Sequence, residues 1–246
     1  MDERRWTVLV AIALIALSIG MYAVHYLVFQ DAHHIWIYFI GDLAFLPIEV
    51  LLVTLVLHRL LELRDRRVKM EKMNMVIGTF FSALGTRLLA HFSDNDPGMK
   101  ALRKELLISD QWSGEDFARV AGTLSRYSCT IEPGGLDLTG LKSFLVQKED
   151  FMIRLLENPL LLEHEEFPEL LRAIFHLTEE LENRDDLSTL PSRDIQHLSM
   201  DACRAYTCLV AQWLHYMHYL KRNYPYLFSL AVRTNPFDRQ ASVIIP

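Results

Sequence analysis

The chain is 246 residues long, 51% hydrophobic, and carries a formal net charge of −6. Residues 1–75 hold eight acidic and eight basic side chains, so the whole deficit lies in residues 76–246. An acidic domain of that kind argues against nucleic-acid binding, which rests on neutralising phosphates.

The first element is the run "WTVLVAIALIALSIGMYAVHYLVF", Trp6 to Phe29, 24 residues without a formal charge. As a helix it is roughly 36 Å long, enough to cross a hydrocarbon core of roughly 30 Å. It is longer than a signal-peptide core, and a second apolar run, Ile35 to Leu57, follows closely. The pair predicts a transmembrane hairpin with spans at about 6–29 and 35–57. Arg4 and Arg5 precede the first span; Arg59, Arg64, Arg66, Arg67, Lys69 and Lys72 follow the second. The connection "QDAHH" has no Lys or Arg. The positive-inside rule therefore expects both termini in the cytoplasm, with the chain in the cell's inner membrane. The basic cluster after span two is expected to touch lipid headgroups.

Span two contains Asp42, Pro47 and Glu49. Seven helical steps leave the two acids within about 20° of one face and roughly 10 Å apart. Pro47 cannot donate to the carbonyl four residues back, so that carbonyl adds to the polar stripe. In span one, Ser18, Tyr22 and His25 also share a face. Folding the hairpin about Ala32 sets Tyr22 level with Asp42, so Asp42 is expected to bond Tyr22 or His25. Glu49 falls opposite Ile15 and has no partner in its own hairpin. A carboxylate in lipid costs roughly 2.5–3.5 kcal/mol on insertion scales. Glu49 is then protonated, paired across a subunit boundary, or facing water. Two spans enclose little interior, so the acids point to a homo-oligomer.

Beyond Leu57 no proline occurs until Pro97, and an apolar side continues through Leu60, Leu61, Leu63, Val68, Met70 and Met73. This predicts one long stem helix, or two nearly collinear ones, over 59–92, with Gly78 and Gly85 as possible break points. "SDNDPG" is the first clear turn. Residues 93–246 then read as a helical bundle. "MKALRKELLIS" is a short helix. "SGEDFARVAGTLSRY" starts with a capping-box pair, Ser113 and Asp116. "CTIEPGGLDLTG", with Pro133, is a loop. A helix is expected from about Leu141 to Asn158, stopped by Pro159. Pro168 suits a helical first turn. Pro191 and Ser192 open a last helix running to about Leu220. Its apolar residues Ile195, Leu198, Ala202, Ala205, Tyr206, Leu209, Trp213, Tyr216, Met217 and Leu220 form one wide stripe. No β alternation appears, so the fold class is all-α. The apolar tail from Pro225 is expected to pack on the bundle or on a neighbour.

Histidines and acids gather in the bundle. "LLEHEEF" holds Glu163, His164, Glu165 and Glu166; "DIQHLSMD" holds Asp194, His197 and Asp201. His176, Glu179 and Glu180 lie together, and His215 with His218 makes H-x-x-H. Side chains three apart on a helix can share a metal, so His176, Glu179, Glu180, His215 and His218 are candidate ligands. The order departs from the Glu-x-x-His pairs of di-iron bundles. A solvated face with ion pairs among Arg172, His176 and Glu180 accounts for the same residues, and no cofactor is expected. Neither G-x-S-x-G, a Walker loop nor H-E-x-x-H occurs, so catalysis is not expected either. Cys129, Cys203 and Cys208 lack C-x-x-C spacing and, in a cytoplasmic domain, are expected to be reduced thiols.

The stretches "GDLAFLPIEVLLVTL", "KMNMVIGTFFSALGT", "LLENPLLLEHEEFPELLRAIFHLTEEL" and "YPYLFSLAVRTNPF" together resemble an uncharacterised family of prokaryotic membrane proteins with two spans and a helical cytoplasmic domain. The resemblance implies architecture and lends no substrate, cofactor or catalytic residue. The functional expectation is a non-enzymatic, oligomerising, membrane-anchored interaction or sensing module that meets the lipid bilayer and a cytoplasmic protein partner. The alternatives are a homo-oligomeric cation channel or proton pathway lined by Asp42 and Glu49, and a metal-dependent enzyme in the bundle.

Overall fold

A computed structural model describes residues 3–132, 134–162 and 166–244. Every regular element among them is helical, and no strand occurs. The chain divides into two compact units, Met1–Arg66 and Arg67–Pro246.

In the first unit, α1 spans Glu3–Phe29 and α2 begins at Ala32. Between them Gln30 takes a positive φ of 55° and its N–H donates to the Tyr26 carbonyl at 2.8 Å, closing the last turn of α1. Asp31 opens α2: its Oδ1 accepts from the N–H of His33 at 2.9 Å and of His34 at 3.2 Å. Near the turn His25 stacks on His34, with ring centroids 6.1 Å apart, and His34 meets Tyr38 edge-on at 4.7 Å. The most apolar 18-residue stretches of the two long helices are wholly unburied. By length and composition both helices can cross a membrane. α2 passes through Pro47 without ending.

The second unit owns a core. α2 runs on to Phe80 and buries Met73, Ile77 and Phe80. A π-turn, Phe81–Gly85, follows, and then α3, Thr86–Asp94. The expected break points Gly78 and Gly85 do not break the helix, which continues to Asp94. They are places of close approach. A Cβ on Gly78 would lie 2.5 Å from the Tyr216 hydroxyl. One on Gly85 would lie 2.6 Å from Phe81 Cδ1 and 2.8 Å from Phe80 Cε1. The wider π-turn takes in one extra residue without ending the helix.

Next come α4 (Met99–Leu102), a 3₁₀ turn (Arg103–Leu106) and α5 (Gly114–Leu124). Ser113 caps α5 as its spacing foretold: its Oγ accepts from Asp116 N–H at 3.3 Å, and Asp116 Oδ2 accepts from Ser113 N–H at 2.7 Å. The helix expected over 141–158 is two: α6 (Leu138–Gln147) and α7 (Glu149–Leu156). The buried residues Leu141, Leu145, Met152 and Leu155 keep helical spacing across the break at Lys148, so their pattern hides it. α8 (Pro159–Leu162) is short, and α9 (Phe167–Glu182) has Pro168 in its first turn.

α10 (Ser192–Asn223) lies against α9, and α11 (Pro225–Arg233) follows it. The predicted stripe is the core face of α10: Leu198, Ala202, Ala205, Tyr206, Leu209, Trp213, Met217 and Leu220 are buried, while Ile195 and Tyr216 are half-buried. The tail folds back onto the bundle. Phe237 packs on Trp213 with centroids 4.9 Å apart, and Asn235 donates to the Leu106 carbonyl at 2.8 Å.

The cysteine expectation is overturned. Cys129 and Cys203 form a disulfide, with Cα atoms 5.5 Å apart; only Cys208 is a free thiol. Spacing along the chain could not show this, because 74 residues separate two positions that the fold brings together.

Candidate functional site

Asp42 and Glu49 are exposed on α2, and no hydrogen bond joins either to another described group. The expected bond from Asp42 to Tyr22 or His25 is not formed. The turn sits earlier than a fold about Ala32 assumes, and His25 faces His34. Counting back from that pair, Asp42 is level with Leu17 rather than Tyr22, and Glu49 with Val10. Ser18, Tyr22 and His25 do share a face, lining one open depression with Leu14, Leu17 and Met21. Within this unit the two acids therefore remain unpaired.

Several of the basic residues after the second apolar run are exposed in i,i+3 and i,i+4 pairs. Arg59 and Arg66 lie 3.6 Å and 3.4 Å from Glu62, and Arg67 lies 3.2 Å from Glu71. Exposed pairs like these are worth a few tenths of a kcal/mol, about the helix-pair value. Arg64 and Lys72 are exposed as well.

The second unit has a buried polar centre that no motif announced. Asp96, 1% exposed, follows α3 in the "SDNDPG" turn. Its Oδ1 accepts from Gly98 N–H at 3.0 Å, Thr130 N–H at 3.3 Å and Thr130 Oγ1 at 3.0 Å. Its Oδ2 accepts from the Tyr127 hydroxyl. Burial and the Asp96 carboxylate hold the Tyr127 phenol well above its ordinary range. Tyr206 on α10 is fully buried, and its hydroxyl has no hydrogen-bond partner among the described residues. Burial, then the neighbouring Tyr127 and Asp96, raises its pKa too. The Cys129–Cys203 bond ties the Tyr127–Thr130 segment to α10 one turn before Tyr206.

Beside this centre lies a cavity of about 280 Å³. Leu124, Tyr127, Tyr206, Val210 and Leu214 line it, with Glu166 and His215 among its polar groups. Glu166 Oε2 accepts from Gln212 Nε2 at 2.7 Å and lies 3.2 Å from His215 Nδ1. Burial, then Glu169 and Glu166, raises the Cys208 pKa.

The H-x-x-H pair separates. His215 turns to Glu166, whereas His218 stacks on Phe117 with centroids 4.6 Å apart. Burial, then Arg222 and His215, lowers the His218 pKa. Among the first cluster's residues, Glu163, His164 and Glu165 lie outside the described residues, as does Pro133.

α9 and α10 bring the remaining groups together. His176 meets Glu180, four residues on, at 3.9 Å, and Asp201 of α10 at 3.7 Å. Glu179, three residues on, is exposed and outside this group. His197 meets the same two carboxylates at 3.7 Å and 3.3 Å. Sequence spacing linked His197 to Asp201 but could not link either to His176. Arg184 braces the group. It binds Asp194 through Nε at 2.7 Å and Nη2 at 2.8 Å, and reaches Glu180 Oε2 at 2.8 Å. These bonds depress the carboxyl pKa values of Asp194 and Glu180. Among the described residues no group of three or more His, Cys, Asp or Glu side chains is placed to hold a metal ion.

Two family models match the chain. "Uncharacterized protein MJ1433, C-terminal helical domain" covers residues 69–233, and "MJ1433, N-terminal helical domain" covers residues 2–61. Their junction coincides with the division between the two units. The protein "Uncharacterized protein MJ1433" of Methanocaldococcus jannaschii is 46% identical over 244 residues, which are 99% of this chain and 98% of that one. No solved structure matches.

Proposed function

We propose that this chain, which belongs to the MJ1433 family, is an integral membrane protein whose two N-terminal helices anchor a helical binding or sensing domain. The carrying observation is uncovered apolar surface. Leu9, Ile12, Leu17, Ile19, Ile40, Leu51, Val53 and Leu55 are each more than half exposed, on both helices and in all directions. A surface of that kind is not left in water, and lipid is the cover that suits two continuous apolar helices of this length.

The positive-inside rule places the bundle in the cytoplasm in this reading. Asp42 and Glu49, unpaired within their own unit, find partners between copies, which makes the assembly a homo-oligomer. The bundle offers a small cavity beside a buried polar centre, which suits recognition of a ligand or protein. A cation or proton pathway along the Asp42–Glu49 face is the second reading. It rests on the same two acids and requires ion flux in liposomes, which an anchor does not.

Alkaline carbonate treatment of membranes from cells making the full chain tests the anchor. The protein is expected in the pellet with integral proteins. Release into the supernatant would mean that protein, not lipid, covers these helices.

A further inference from the structure

The end of the second unit by which the chain enters it is basic, although the molecule is acidic. α10 runs antiparallel to the stem. Tyr206 meets Phe92 with ring centroids 5.7 Å apart, Tyr216 stacks on Phe81 at 5.3 Å, and Arg222 shares a groove with Arg67, the first residue of the unit. The last turns of α10 and the start of α11 therefore lie beside the stem's first turns in this unit. Residues 67–72 and 215–233 hold six Lys or Arg and one acid, Glu71, in a chain whose net charge is −6.

The groove has a volume of about 750 Å³ and is open to water, with Arg67, Glu71, His215, His218, Arg222 and Asn223 in its walls. Glu71 lies 3.2 Å from Arg67, and Glu166 lies 3.2 Å from His215. Arg222 is exposed, and among the described residues no carboxylate pairs with it. Burial, then Arg222 and His215, lowers the His218 pKa, so the groove disfavours a further positive charge. Aromatic and apolar surface adjoins it. Tyr219 and Tyr224 meet with centroids 5.8 Å apart, and Tyr224 meets Tyr226 at 6.3 Å. Tyr226 is 72% exposed, and Pro225 and Leu227 are exposed beside it. Tyrosine next to Arg and Lys suits a membrane–water interface.

We propose that this end of the second unit docks on the anionic surface of the lipid bilayer, with a phosphate-bearing lipid headgroup in the groove and Tyr226 and Leu227 resting beside it. The inference rests on the membrane reading above and adds a second lipid contact, made by the bundle itself. Reach allows it. Ten residues of α2 separate Leu57, the end of the second apolar run, from Arg67, at most about 15 Å of helix. The polar layer on one side of a bilayer takes up about 5–7 Å of that. The remainder is about one Debye length at physiological salt. A second copy of the chain is the poorer occupant, since two such surfaces would set like charges face to face.

The test uses the full chain in nanodiscs of phosphatidylcholine alone and of phosphatidylcholine with about a third phosphatidylglycerol, read by backbone hydrogen exchange. Exchange over 223–230 is expected to slow at least about fivefold in the anionic discs, the effect of one basic side chain near such a surface. The difference should shrink at high salt, in Arg222→Gln and in Tyr226→Ser, whose replaced side chains are exposed. Arg193→Gln, in the first turn of α10, should keep it. Equal exchange in the two discs, with the chain embedded in both, overturns the docking and leaves the anchor standing. Protection in neutral discs that grows with the number of chains per disc assigns the surface to a second copy and overturns the proposal. Protection by inorganic phosphate in detergent assigns the groove to a soluble anion and overturns it too. A chain that enters neither disc overturns the membrane reading and this inference with it.

Discussion

Replacing Cys203 with Ser is expected to cost about 4 kcal/mol of unfolding free energy, through loss of the chain-entropy effect of a bond closing a long loop. The two half-cystines stand 74 residues apart, and α6 to α9 lie between them. Without the bond the unfolded chain regains the freedom of that whole segment. For a domain of this size the melting temperature should fall by about 10 °C. Reductant should lower the parent's melting temperature to that of the variant, while Cys208→Ser, which touches no bond, should leave it unchanged. Thermal unfolding of the full chain in detergent, followed by near-ultraviolet circular dichroism, reads all three. A parent indifferent to reductant would refute this account of the bond. The bond also bears on sidedness. Disulfides are rare in mesophile cytosol and frequent inside hyperthermophile cells, so a cytoplasmic bundle requires a cytoplasm that sustains them.

Asp96→Ala should be nearly as damaging, at about 3 kcal/mol or more. One carboxylate satisfies the N–H groups of Gly98 and Thr130 and the hydroxyls of Thr130 and Tyr127. Alanine would leave these donors without their acceptor; exposed Thr130 can turn to water, but the half-buried Gly98 N–H and Tyr127 hydroxyl are left short of a partner, and each buried unsatisfied group costs about 1–3 kcal/mol. Asp96→Asn keeps an acceptor for the first three and should cost less. Because Thr130 adjoins Cys129, the alanine effect should shrink in the Cys203→Ser background, where that segment is no longer stapled. Urea unfolding of the four proteins measures this cycle. An Asp96→Ala change within about 0.5 kcal/mol of the parent, the size of an ordinary surface substitution, would remove Asp96 as the organising group.

What the sequence made legible follows from periodicity. The α10 stripe, the Ser113 cap and the prolines opening α9 and α10 are local signals, and the structure bears them out. Signals that depend on which turn brings which residues together were not legible. A turn at Gln30 and Asp31, rather than about Ala32, shifts the level of Asp42 from Tyr22 to Leu17 and removes the expected bond to Tyr22. Apolar spacing continues through Lys148 while the helix does not. Asp96 looked like turn chemistry because its partners lie 31 and 34 residues away. The i,i+4 ion-pair reading of His176 with Glu180 holds, whereas its second neighbour, Asp201, lies on another helix and no spacing rule reaches it.

We propose that Asp42 and Glu49 meet their partners between copies within the membrane. The direct measurement is the mass of the assembly in native nanodiscs, for the parent and for Glu49→Gln. A defined oligomer is expected for the parent, and a smaller or dissociated species for the variant. A monomeric parent would contradict it.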